Sequence, residues 1–200
     1  MEIIAHRINT IEELQKTPKT YGVEIDLRTN GKDIILHHDP FIEGDNFEEY
    51  LKKYNHGTLI LNIKTEGIEF DVINLVKKYK IKNYFFLDSS IPQIVKLIKH
   101  NIKEIAIRFS SFEPIEFVEK FRGKAKWIWV DCFEDLILTK ENFNFFKING
   151  FKICLVSPDL QNKKEFISKY YYDIKQMGIQ LDALCIKKEN LNQLKNLILK

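Results

Sequence analysis

The sequence predicts an α/β fold: a compact (β/α)8 TIM barrel, with residues 1–200 forming a single domain. Short β-branched or aromatic runs alternate with amphipathic stretches along the whole chain. Such alternation implies parallel strands joined by right-handed crossovers. The turn after the first run, Arg7-Ile8-Asn9-Thr10, contains no glycine. A doubly wound open sheet would want a phosphate-cradling, Gly-rich turn at that place. Eight strand–helix units therefore favour the barrel, whose chemistry sits at the C-terminal strand ends.

The first run, Glu2–His6, precedes Thr10-Ile11-Glu12-Glu13, which fits a capping box at a helix start. The second strand is read over 23–27. Thr29-Asn30-Gly31-Lys32 then signals a turn, and Ile34–Leu36 returns as a hairpin-like extension. Leu59–Ile63 is the third strand, followed by apolar residues at helical spacing over 71–76. Tyr84–Leu87 leads into Ile91-Pro92, with proline in a first helical turn where its missing N–H costs little. A strand over 104–107 is followed by Pro114 in the same role. Trp127–Val130, Lys152–Val156 and a run over 183–186 complete the strands. The last helices are expected over Lys140–Ile148, 163–176 and 189–199. Trp127 and Trp129 share one strand face, which reads as core packing.

Bulk properties exclude several classes. The formal net charge of +3 comes mostly from lysines dispersed along helical segments, so no concentrated nucleic-acid stripe is expected. The start lacks the pattern of a signal peptide, and no apolar run approaches the ~20 residues of a membrane span. Three cysteines, an odd number beside β-like runs, read as buried reduced thiols. A cytoplasmic location is expected.

The strand tips carry the chemistry. His6 and Arg7 end the first strand, and Glu24 and Asp26 share a face of the second. His37, His38 and Asp39 close the hairpin extension, and Asn62 and Lys64 end the third strand. Two carboxylates suit a hard divalent cation, Mg²⁺ or Ca²⁺. Arg7 and Lys64 suit phosphate oxygens, and two histidines suit proton transfer near neutral pH. Further along, Arg108, Asp131 and Ser157 end later strands, and Arg108 is the best candidate there for a phosphate contact.

Ile4-Ala5-His6-Arg7, the run from Gly22 to Gly31 and Leu36-His37-His38-Asp39-Pro40 together resemble the glycerophosphodiester phosphodiesterase family. Leu61-Asn62-Ile63-Lys64 is similar to its third motif. The resemblance implies a (β/α)8 barrel, one divalent cation and two histidines that exchange roles as acid and base. By position, His6 and His38 match the histidines and Arg7 the phosphate-contacting arginine. Glu24 and Asp26 match metal ligands, and Lys64 the lysine near the phosphate. Three positions depart from the pattern. Ile8 replaces a glycine. Asn62 replaces a glutamate ligand, which predicts weaker cation affinity. Residues 41–57 leave no room for the inserted segment that helps select glycerol. The expected activity is metal-dependent cleavage of a small-molecule phosphodiester, glycerophosphodiester-like or a phosphate-linked sugar. The alternative is a non-catalytic or repurposed barrel that binds a phosphorylated sugar or lipid head group. A Schiff-base role for Lys64 ranks below both.

Overall fold

A computed structural model describes residues 1–199. Residues 5–104 form one compact unit, and Met1–Ile4 with residues from 105 onward form a second. In the first unit, the tip of β1 (Glu2–His6) borders β2 (Gly22–Thr29), and β2 pairs in parallel with β5 (Leu59–Ile63). β5 in turn pairs in parallel with β6 (Tyr84–Leu87). Beyond Leu27, β2 continues into an antiparallel ladder with β3 (Ile34–Leu36), which pairs with the two-residue β4 (Asp45–Asn46). The expected turn is present: the Asn30 side-chain oxygen accepts from the Lys32 and Asp33 N–H groups, and Gly31 takes φ +95°.

In the second unit, β7 (Ala106–Phe109), β8 (Trp127–Val130), β9 (Lys152–Val156) and β10 (Ala183–Lys187) pair in parallel, each with the next. β10 borders the start of β1, where the Glu2 N–H donates to the Asp182 carbonyl. In each unit, successive parallel strands are neighbours and the order never reverses. That is barrel order, not the switched order of a doubly wound sheet.

Helices follow the strands: α1 (Ile11–Lys16), α2 (Phe47–Leu51), which the sequence reading did not expect, α3 (Glu69–Lys78), α4 (Ile91–Lys99), α5 (Ile115–Glu119), α6 (Lys140–Ile148), α7 (Ile167–Gln176) and α8 (Leu191–Ile198). The Thr10 hydroxyl accepts from the Glu13 N–H at the start of α1. The reciprocal capping box, with both halves formed, lies at Thr139 and Asn142 of α6. Several boundaries differ from the sequence reading, among them β2, which runs to Thr29, and α8, which starts at Leu191. The strand expected over 104–107 runs Ala106–Phe109, and the Glu104 carbonyl ahead of it accepts from the Phe86 N–H. The helix expected from residue 163 starts at Ile167, after a left-handed Asn162 and a short 3₁₀ turn.

The central parallel strands β2, β5 and β8 are buried on both faces, as covered parallel strands are. Every residue of β5 and β8 is buried, as are Gly22 to Leu27 of β2. Trp127 and Trp129 are core residues, and the three cysteines are buried thiols. Among the described residues, no helix is long and apolar enough to cross a membrane.

Candidate active site

Within an apolar strand, β2 holds two carboxylates with no exposure to solvent. Glu24 and Asp26 are each 0% accessible. Burying two like charges on one strand is costly unless neighbours compensate. The Glu24 Oε1 accepts from the Asn62 amide at 2.8 Å, across the β2–β5 ladder. Its Oε2 accepts from the Arg7 backbone N–H at 2.8 Å, and His6 Nε2 lies 3.6 Å away. Burial, with the nearby Asp26 charge adding, pushes the Glu24 carboxyl up to about 8.

Asp26 meets cations on two sides. Arg7 Nε is 3.7 Å from its Oδ2, and Lys64 Nζ is 3.6 Å from its Oδ1. Asn9 adds a paired contact that the sequence did not suggest: its amide donates to Asp26 Oδ2, and the Asp26 N–H donates back to the Asn9 oxygen. Arg7 adopts a left-handed backbone, φ +54°. This turn brings the Arg7 N–H to Glu24, while Ile8 enters the core and its N–H donates to the Glu24 carbonyl. The Tyr50 hydroxyl donates to the Ile8 carbonyl. The side chain at position 8 thus serves packing.

His38 stands on the loop after β3, its Nδ1 2.8 Å from the Asp39 carboxylate. That bond draws the Asp39 carboxyl below its ordinary value. His37 takes a different part: the Asp39 N–H donates to His37 Nδ1, which ties down the loop. Arg28 is a second residue whose role the sequence did not disclose. Its guanidinium donates twice to the His38 carbonyl and once to the Lys64 carbonyl. One planar fork therefore holds the backbones of both residues. Only tertiary placement reveals Arg28 and Asn9, since their partners are 10 to 36 residues distant.

His6, Arg7, Glu24, Asp26, Asn62 and Lys64 form one connected cluster, and the Arg28 guanidinium ties the His38 backbone to that of Lys64. Arg108 lies in the second unit, where its guanidinium bonds to Asp131 and faces Glu113 Oε1 at 3.7 Å. Asp131 also accepts from Gln161 and the Trp129 indole.

The cluster offers oxygen donors to a hard divalent cation. Asp26 Oδ1 and Asn62 Oδ1 are buried and accept no hydrogen bond. Together with Glu24 they make an all-oxygen donor set, which suits Mg²⁺ or Ca²⁺. The set holds two carboxylates and an amide, and among the described residues no group of three His, Cys, Asp or Glu is placed to hold a metal. The residues fit a cation, with one charge fewer than a three-carboxylate site.

No family model matches the sequence, and no curated protein matches it. Comparison with solved structures shows the fold. A glycerophosphodiester phosphodiesterase from Agrobacterium tumefaciens str. C58 superposes with TM-score 0.64 at 12% identity, covering 92% of this chain and 96% of that one. A glycerophosphoryl diester phosphodiesterase from Parabacteroides distasonis ATCC 8503 gives 0.63 at 16% identity, covering 96% of this chain and 86% of its own. This chain has the glycerophosphodiester phosphodiesterase fold. The (β/α)8 barrel expected from the sequence is thereby shown.

Proposed function

We propose that the chain is a phosphodiesterase that cleaves a small-molecule phosphodiester by His6/His38 acid–base chemistry, assisted by Mg²⁺ or Ca²⁺. One observation carries this reading. Two buried carboxylates, two cationic side chains and a histidine meet at the tips of β1, β2 and β5. A hydroxyl adjacent to the phosphodiester attacks phosphorus, and one histidine takes its proton. The other histidine protonates the oxygen of the departing alcohol as its bond to phosphorus breaks. Water then opens the cyclic phosphate with the histidine roles exchanged. With Nδ1 held by Asp39, His38 presents Nε2 as its working nitrogen. Arg7 and Lys64 bind the phosphoryl oxygens and stabilise the charge that builds there. Glu24, Asp26 and Asn62 would hold the cation, which supplies further positive charge to those oxygens when bound.

The test is a panel of phosphodiesters, from glycerophospho-compounds to phosphate-linked sugars, assayed with Mg²⁺, Ca²⁺ or EDTA. Cation-stimulated cleavage is expected, reduced about 10²–10⁴-fold in H6A and in H38A. Wild-type rates in either variant would reject the assignment. The Asn62 amide donating to Glu24 favours a second reading, a barrel that binds a phosphorylated sugar or head group without cleaving it. That reading expects affinity for such ligands and no turnover with any cation.

A further inference from the structure

The cluster contains a carboxylate that no sequence motif indicated. Asp88 directly follows β6 and takes a left-handed backbone, φ +59°, a conformation uncommon for residues other than glycine and best tolerated by Asn and Asp. Such outliers concentrate where a side chain is held for a purpose. The ladder explains where Asp88 points. Asn62 of β5 lies opposite Asp26 of β2 on one side and Leu87 of β6 on the other. One residue past Leu87 and two past Asn62, Asp88 and Lys64 meet: Asp88 Oδ2 is 3.4 Å from Lys64 Nζ. The same Nζ is 3.6 Å from Asp26 Oδ1. The ammonium therefore sits between carboxylates carried by the strands on either side of its own.

We propose that Asp88 is a positioning residue, holding the Lys64 ammonium with Asp26 where a phosphoryl oxygen of the substrate binds. This rests on the phosphodiester reading of the site. A lysine ends in a point charge on a flexible stem, without the fixed fork of arginine. One anion at ion-pair distance leaves that stem free to swing, whereas two on opposite sides define its place. Position 62 supplies no charge for this, because its side chain is a neutral amide, and that amide donates to Glu24. Asp88 supplies it from the next strand. The Lys64 and Asp88 side chains are 18% and 29% exposed, so water weakens their attraction only in part.

The experiment measures inorganic phosphate binding by calorimetry, and kcat and KM on any cleaved diester, for wild type, D88N, D88E, D88G and K64M. D88N is expected to weaken phosphate binding about three- to tenfold, the scale of one partly screened charge contact. It is expected to lower kcat more than it raises KM. D88E restores most of the loss. D88G, which suits the left-handed backbone and preserves the fold, loses as much as D88N. In a K64M background, D88N has no further effect, since Asp88 acts through that lysine. Wild-type phosphate affinity in D88N and D88G, or D88N and K64M effects that simply add, would overturn the proposal. So would a wild-type protein that binds no phosphate. Phosphate binding that responds to Asp88 without turnover of any diester would support the positioning role and reject the phosphodiesterase reading instead.

Discussion

Asn62 is where this site departs most from a three-carboxylate centre. Its amide nitrogen bonds Glu24 Oε1 while its oxygen is buried without a hydrogen bond. An amide oxygen is a weaker ligand than a carboxylate because it brings no charge. N62E is therefore expected to raise Mg²⁺ or Ca²⁺ affinity at least about tenfold, or about 1.4 kcal/mol, read by calorimetry. Unchanged affinity would remove position 62 from the cation site. Most of the cluster was legible residue by residue, since His6, Arg7, Glu24, Asp26 and Lys64 stand at strand ends. Asn9, Arg28 and Asp88 were not. Asn9 and Arg28 are ordinary polar residues until distant partners arrive, and Asp88 matters through a backbone conformation and a neighbouring strand.

At the level of elements, the β2–β5 ladder sets Asp26 opposite Asn62, and the loop after β3 carries His38. That loop returns against its own strand at Gly44. A Cβ there would lie 2.2 Å from the Leu36 carbonyl oxygen, which is backbone and cannot swing aside. G44A is expected to cost about 1–3 kcal/mol in urea unfolding, as overpacking does. Activity should fall further than stability, because the displaced loop holds His38. A variant of full stability would show that the loop shifts freely. The hairpin itself was readable from Thr29-Asn30-Gly31-Lys32, a local signal. Its closing contact was not, because nothing near Gly44 in sequence names Leu36.

For the molecule as a whole, Glu24 couples folding to pH. Its folded value, about 8, lies above the ordinary 4.5. Between those values the folded chain keeps a proton that the unfolded chain releases, so this group's contribution falls as pH rises. Without added cation, wild type should lose more thermal stability than E24Q between pH 5 and pH 8. Added Mg²⁺ or Ca²⁺ should narrow the difference, since it stabilises the ionised carboxylate. Equal pH profiles for the two proteins would show that Glu24 is not the cause.

The order of strands and helices, the apolar character of β2 and β5, and most residues of the β1–β2–β5 cluster were readable from the sequence alone. Periodicity and strand-end position are local properties, written in runs of a few residues. Tertiary structure decided how the charges are shared. It turned Asn62 toward Glu24, gave the His38 and Lys64 backbones one guanidinium, and set the Lys64 ammonium between Asp26 and Asp88. Those contacts join residues on different strands, and their energies depend on distance and burial, which exist only once the chain has folded.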